Sequence, residues 1–117
     1  MYLLTNQQVY YIIYNELRRR GYAVDVGVVE IRDENNRKQT EIDFVCNLGS
    51  KKYYIQSALN IDEKEKQEQE FRPLMNVNDF FKKIVIVKSG GKIWRNEVGI
   101  TIMNIYEFLL NENSLDL

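Results

Sequence analysis

Two short segments of the sequence carry polar side chains at spacings that suit a metal-dependent nuclease site. In TEIDFVC, Glu41 and Asp43 stand two residues apart, so on a β-strand both carboxylates project from one face. In YYIQSAL, Gln56 and Ala58 have the same spacing. Magnesium prefers oxygen ligands, which makes Asp43 and Gln56 candidate metal ligands. Metal-dependent phosphodiester cleavage also uses a lysine near the attacking water, but Ala58 stands at that position.

An open sheet face is the simplest alternative for the two acids. Ile42 and Phe44 alternate with them, and we therefore expect these apolar side chains to share the opposite face of the strand. Neighbouring carboxylates repel each other unless a cation or a basic side chain lies between them. Lys51 or Lys52 can supply that charge, so both interpretations stay open.

A third acid lies in the first predicted helix. Helical periodicity places Glu16 in line with the apolar stripe, so its carboxylate points towards the sheet. Burying a carboxylate is costly unless it is paired or binds a cation. Glu16 is thus a candidate catalytic residue, which we expect to approach Asp43 at one end of the sheet, with Gln56 beside them. The alternative is a structural ion pair with Arg20.

The arginine run at the end of that helix is a candidate nucleic-acid patch, because tyrosines stand near it in the sequence. Arg18, Arg19 and Lys52 are the residues expected to contact phosphates. The alternative is a solvated helix end that the helix dipole favours. The formal net charge of −1 creates no overall basic field, so any such contact must come from a local patch.

The composition excludes several classes of site. With 117 residues, the chain fits a single domain, residues 1–117, around one core. It has no histidine, which excludes His-dependent triads, imidazole bases and His metal ligands. The single Cys46 excludes an intrachain disulfide and a Cys-rich zinc site, and it fits a cytoplasmic location. Without an apolar run of about 18 residues, we expect no membrane contact.

The periodicities predict an α/β domain with a mixed central sheet flanked by helices. Thr5 and Gln8 form a capping box at the start of the first helix, and Gly21 follows its end. Residues 22–59 predict a three-stranded antiparallel meander. The remaining predicted elements are a helix over residues 62–75, a buried strand at 82–89, a loop at 90–97, a strand at 99–104 and a closing helix.

Taken in order, several segments resemble the C-terminal domain of a large group of prokaryotic AAA-type ATPases, a domain of unsettled function. They span about residues 10–110 and read NELRRRGYAVDVG, TEIDFVC, YYIQSAL, EQEFRPLM and ITIMNIYEFLL. That domain is similar to the PD-(D/E)xK nucleases, whose fold is called restriction-endonuclease-like and is shared with archaeal Holliday-junction resolvases. The resemblance implies a restriction-endonuclease-like αβββαβ core.

The resemblance also implies roles for four positions. Glu16 matches the acid of the first helix and Asp43 the metal-binding aspartate, whereas Gln56 and Ala58 replace the second acid and the lysine. It therefore implies a degenerate site, with magnesium possible but bound weakly or not at all by Asp43 and Gln56. It further implies that the chain is the C-terminal fragment of a longer protein and that the preceding ATPase domain is its partner.

Three functions remain open from the sequence. The first is an accessory domain that binds nucleic acid, such as DNA, or a protein partner without cleavage. The second is an active magnesium-dependent DNA endonuclease that takes its lysine from elsewhere, with Lys52 and Lys88 as candidates. The third is a structural module for assembly of the ATPase.

Overall fold

A computed structural model describes residues 4–33, 36–58, 61, 63–88 and 90–117. Its elements confirm the predicted α/β architecture with a mixed sheet. Within the described part of the chain, no helix is both long and apolar enough to cross a bilayer. The elements are α1 (Asn6–Arg19), β1 (Ala23–Asp33), β2 (Asn36–Leu48), β3 (Lys51–Ala58), α2 (Lys64–Met75), β4 (Lys82–Val87), β5 (Trp94–Arg95), β6 (Thr101–Asn104), α3 (Ile105–Leu110) and a 3-10 helix (Ser114–Asp116).

The strands form one six-stranded sheet in the order β1-β2-β3-β4-β6-β5. The first three strands are antiparallel neighbours, as the meander prediction required. β3, β4 and β6 run parallel, and β5 lies antiparallel at the edge beside β6. The prediction of a loop throughout residues 90–97 was wrong at Trp94–Arg95, because a two-residue strand has no periodicity to detect.

Helix α1 begins where its capping residues dictate. The Gln8 N–H donates to Thr5 Oγ1 at 3.1 Å, and the Thr5 N–H donates to Gln8 Oε1 at 2.9 Å, which confirms the capping box. Val9, Ile13 and Leu17 are buried along one side of the helix. Their spacing of four residues fixes the face that α1 presents to the sheet.

The sheet is covered on both faces. α1 and α3 pack over one face, on a cluster that includes Phe44, Ile55 and Ile84. Cys46 is fully buried in the same cluster, where burial raises the pKa of its thiol to about 12. α2 packs over the other face, on a cluster that includes Ile42. β4 lies between both layers, and its last four residues are buried as predicted for a central parallel strand.

A β-bulge in β2 reverses the alternation of side chains beside Asp43. Asp25 pairs with Val45, but Gly27 pairs with Ile42, so β1 advances two residues while β2 advances three. Ile42 therefore belongs to the cluster under α2, whereas Phe44 belongs to the cluster under α1. The expectation that these two side chains share a face was wrong, because strand parity holds only in a regular ladder.

Gly27 gives the bulge the space that it needs. A Cβ atom at this position would lie 2.7 Å from Val45 Cγ2 and 3.2 Å from Ile42 Cβ. Valine is short and β-branched, so its methyl group cannot swing away as the end of a long side chain would. The backbone of β1 must move if any larger residue stands here.

We expect Gly27→Ala to lower the free energy of unfolding by about 1–3 kcal/mol, because the added methyl overpacks the bulge. Urea denaturation followed by circular dichroism measures the change. Gly91→Ala is the matched control, since a Cβ at Gly91 would meet no atom within 4 Å. Equal unfolding midpoints for the two variants would contradict this account of the bulge.

Candidate functional site

The strands β2 and β3 separate at Asp43, where side chains replace the backbone ladder. Their pairing runs from the hairpin end, Leu48 with Lys51, to Phe44 with Ile55. Beyond it, the Asp43 N–H donates to Gln56 Oε1 at 2.7 Å, and the Ser57 N–H donates to Asp43 Oδ2 at 2.8 Å. This pair of bonds, the Asp43 bridge, satisfies two backbone donors that lie beyond the end of the ladder between β2 and β3.

The strands joined by the Asp43 bridge form one wall of a cleft of about 450 Å³. The start of α1 forms the second wall and the first turns of α2 form the third. Because three separate elements converge here, the cleft is a candidate functional site. Its lining residues are Asn6, Tyr10, Asp43, Ser57, Lys66, Gln69 and Glu70.

Two carboxyl groups share this cleft, and the charge of Asp43 disfavours the ionisation of Glu70. Burial raises the pKa of Asp43, the hydrogen bond from Ser57 opposes that shift, and the charge of Glu41 adds to it. Burial also raises the pKa of Glu70, and the charge of Asp43 raises it further. Burial and then the charge of Asp43 raise the pKa of Tyr10. The cleft therefore favours bound protons or a cation over a second anion.

Gln56 and Ala58, expected at the site, are placed where they do structural work. Gln56 is only 4% exposed, and its amide oxygen is engaged by the Asp43 N–H instead of facing the cleft. Ala58 is 1% exposed and packs in the apolar cluster under α2 with Phe71. A lysine introduced at Ala58 would enter that cluster and not the cleft, which corrects the expectation from strand geometry.

The expectation that Glu16 approaches Asp43 was wrong. Its side chain is 12% exposed and forms ion pairs with Arg20 at 2.6 Å and Arg19 at 2.7 Å. The cleft uses the start of α1 at Tyr10, and Glu16 lies six residues later, about 9 Å further along the helix axis. The structural ion pair with Arg20 is the alternative that the structure confirms.

Arg20 connects this ion pair to the end of the chain. Its Nη1 donates to Ser114 Oγ at 3.0 Å, its Nη2 donates to the carbonyl oxygens of Phe108 and Asn111, and its guanidinium lies over the Phe108 ring. Glu16 thus neutralises an arginine that holds α3 and the 3-10 helix against α1. The role of Glu16 in the fold is structural.

The predicted nucleic-acid residues do not form one patch. Arg18 Nη1 donates to Tyr14 Oη at 3.4 Å, and Arg19 is paired with Glu16 and Glu112. Lys52 lies over the rings of Tyr54 and Phe81, on the α2 side of the sheet. Of the three, Lys52 alone is in contact with an exposed aromatic side chain.

The lysine that lines the cleft is Lys66, on α2. Neither earlier candidate lines it, since Lys52 stacks on aromatic rings and Lys88 Nζ donates to the Leu4 carbonyl oxygen at 3.1 Å. Lys66 and Glu70 are four residues apart, so they share one face of α2. The signal that could have found them is the position of Glu70 beside the first buried residue of that helix, Phe71.

Asp43 and Glu70 are the pair that could hold a metal ion. Among residues 4–33, 36–58, 61, 63–88 and 90–117, no cluster of three or more acidic, histidine or cysteine side chains is suited to a metal. Magnesium often uses one or two carboxylates and keeps several waters, so a pair meets the minimum requirement. Gln56, the other predicted ligand, is not part of this pair.

Replacing Asp43 with asparagine should lower the pKa of Glu70 towards its ordinary value, because the neighbouring negative charge is removed. Carbon-detected NMR titration of the Glu70 carboxyl group measures the change. Glu68→Gln is the control, since Glu68 is exposed and does not line the cleft. An unchanged Glu70 midpoint in Asp43→Asn would refute the electrostatic coupling.

The effect of the Asp43 charge on Glu70 also determines how the stability of the fold changes with pH. The pKa of Glu70 is raised in the folded chain, so its contribution to stability is complete below the ordinary value of 4.5. That contribution is lost as the pH rises through the folded pKa. Asp43→Asn should therefore reduce this loss of stability between acidic and neutral pH.

Glu16→Gln should lower the free energy of unfolding at pH 7 by roughly 1–3 kcal/mol, because the hydrogen bonds between a charged carboxylate and two arginines, one of them partly buried, are weakened. The arginine bonds hold the pKa of Glu16 below its ordinary 4.5, so this stabilisation is present above 4.5 and disappears as the pH falls. Urea denaturation at several pH values measures the difference. The control, Glu112→Gln, removes an exposed partner and should change stability by less than about 1 kcal/mol.

Comparison with known proteins finds a relative of the chain but no family. No family model matches the chain, and no solved structure matches it. The chain is 33% identical over 100 residues to an uncharacterized protein of Haemophilus influenzae, an alignment that covers 85% of this chain. It covers 22% of the relative, so the chain spans about a fifth of the length of the curated protein it matches.

Proposed function

We propose that the chain is a nuclease-like accessory domain that binds nucleic acid without cutting it. The observation that carries the absence of cleavage is the Asp43 bridge. The amide oxygen of Gln56 accepts a hydrogen bond from the Asp43 N–H, and Ala58 is buried under α2. The two positions at which the resemblance requires an acid and a lysine therefore hold the strands and the core together, and they offer no group to a phosphate.

The proposal includes a restriction-endonuclease-like core and a context in a longer ATPase. The order α1-β1-β2-β3-α2-β4 and the opening between β2 and β3 at Asp43 support such a core. The relative from Haemophilus influenzae is much longer than the aligned segment, which supports a partner domain in the same polypeptide. A role as a structural module for ATPase assembly is the outcome if nucleic acid does not bind.

Nucleic acid would have to contact a surface other than the cleft. Asp43 and Glu70 are both acidic, and the charge of Asp43 already disfavours that of Glu70, so these two carboxyl groups oppose a phosphate backbone in the cleft. Binding must then rely on cationic side chains elsewhere on the domain, through contacts that weaken with salt.

A magnesium-dependent DNA endonuclease is the second candidate, because Lys66 and Glu70 line the same cleft as Asp43. In that case Asp43 and Glu70 would hold the metal, and Lys66 would place a positive charge beside the phosphate. A bound magnesium ion supplies charge stabilisation and lowers the pKa of a coordinated water. The two residues on α2 would then replace the functions missing at Gln56 and Ala58.

Incubation with single-stranded, duplex and branched DNA in magnesium or manganese distinguishes the two candidates. We expect no cleavage above background, because loss of one preorganised electrostatic group reduces such rates by about 10²–10³ and here two are missing. Fluorescence anisotropy on the same DNA, in calcium or without metal, should show binding that weakens as salt increases.

Matched variants make the outcome unambiguous. Cleavage that is lost in Asp43→Ala, Lys66→Gln and Glu70→Gln but retained in Lys64→Gln would assign the endonuclease and overturn the proposal. Lys64 is the control because it is exposed on the same helix but does not line the cleft. The structural module would be favoured if the wild-type domain showed neither cleavage nor binding at low salt.

A further inference from the structure

We propose that single-stranded nucleic acid binds at the end of the sheet opposite the Asp43 cleft. The proposal rests on the proposed function and names the surface and the form of nucleic acid that would carry it. This surface, called the Phe80 surface below, surrounds a cleft of about 370 Å³. It consists of Phe80, Phe81, Lys82, Arg95 and Thr101, which line that cleft, together with Lys52, which lies over the Phe81 ring.

Phe80 presents a fully exposed aromatic ring. The loop that carries it is held by Asp79, whose Oδ1 accepts from the Phe81 N–H at 3.0 Å and whose Oδ2 accepts from Tyr54 Oη at 2.5 Å. Lys83 Nζ donates to the Asp79 carbonyl oxygen at 2.9 Å. A ring that is held outside the core by a fixed loop is a ready platform for stacking with a nucleobase.

Cationic groups stand beside this platform. Lys82 Nζ and Arg95 Nη2 both donate to the main-chain oxygen of Leu117, the second at 3.2 Å, so the two side chains converge on one acceptor. A lysine has three donors and an arginine five, so both keep donors for a phosphate oxygen. Burial and the charge of Arg95 lower the pKa of Lys82, and the charge of Asp116 opposes that shift in part. An anion placed between Lys82 and Arg95 would relieve the repulsion between them.

The acids near this surface already have basic partners. Asp79 forms an ion pair with Lys83 at 3.6 Å, and Asp116 forms one with Lys51 at 3.4 Å while it accepts from Tyr53 Oη. In the described part of the chain, no ion pair is formed by the remaining cations of the surface, Lys52, Lys82 and Arg95. The surface therefore carries a local positive charge despite the net charge of −1.

A buried hydroxyl gives a second, independent indication of a ligand. Thr101 is 1% exposed, its Oγ1 has no hydrogen-bond partner among the described residues, and the residue lines the same cleft as Lys82 and Arg95. A buried hydroxyl without a partner destabilises the fold, so it needs a reason to be there. A ligand oxygen held by the two cations would accept its proton.

The location agrees with binding that does not lead to cleavage. In the β3–β4 register, Tyr53 lies beside Lys82 and Ser57 lies beside Ile86, so the Phe80 surface and the Asp43 cleft are four residues apart. That spacing is about 13 Å along a strand. A nucleotide stacked on Phe80 therefore has its own phosphate beside the cations and away from Asp43 and Glu70.

The test is fluorescence anisotropy with labelled oligothymidylate and with a duplex of the same length. We expect the single strand to bind more tightly, with a slope of about −2 for log K against log salt if Lys52, Lys82 and Arg95 each contact a phosphate. Phe80→Ala should weaken binding between about fivefold and a hundredfold. Arg95→Gln should weaken binding and make the salt slope shallower by about 0.7.

Thr101→Val separates ligand binding from folding. Valine keeps the shape and removes the hydroxyl, so the melting temperature should stay the same or rise while oligothymidylate binding weakens by about tenfold. Tyr106→Ala is the control for Phe80→Ala, since it removes an exposed ring on α3, and Lys64→Gln is the control for Arg95→Gln. Both controls should bind oligothymidylate like the wild type.

Each failure has a distinct meaning. If the wild type binds DNA but Phe80→Ala, Arg95→Gln and Thr101→Val bind equally well, the Phe80 surface is wrong and the proposed function stands. Tighter binding of the duplex would overturn the stacking of a single strand on Phe80. If the wild type binds neither oligonucleotide at low salt, both proposals are overturned and a protein partner becomes the better explanation for the exposed ring.

Discussion

The exchange of hydrogen bonds between Asp43 and β3 is the constraint on which the functional part of the structure depends. The ladder between β2 and β3 ends at Phe44 and Ile55, next to the bulge, and beyond that point the Asp43 bridge ties these two strands together. The same bonds fix the Asp43 carboxylate at the mouth of the cleft and bury Gln56 behind it. Fold and site are thus built from one local irregularity, as is common beside active sites.

Charge is divided between the two ends of the central strands. The carboxyl ends of β3 and β4 lie near Asp43 and Glu70, whereas their amino ends carry Lys52 and Lys82. Glu16, which the helical periodicity placed towards the sheet, is neutralised by two arginines. The sheet thus separates a cationic surface at one end of these strands from a pair of carboxyl groups at the other.

The sequence predicted those features that arise from local patterns. The capping box at Thr5 and the buried run of β4 identified their elements, because each depends on residues close together in the chain. The bulge was not predictable, since the parity of Ile42 and Phe44 is set by Gly27 on another strand. Lys66 and Glu70 were missed because a polar helix has the same pattern whether its acids face water or a second carboxylate across a cleft.

The buried thiol of Cys46 can report opening of the core that lies under α1. Its thiol lies under α1 with a pKa of about 12, so almost none of it is thiolate at neutral pH, and only the thiolate reacts readily with electrophiles or disulfides. Modification of this sulfur requires β2 and α1 to part first. The rate of its alkylation consequently reports how often the cluster under α1 and α3 opens.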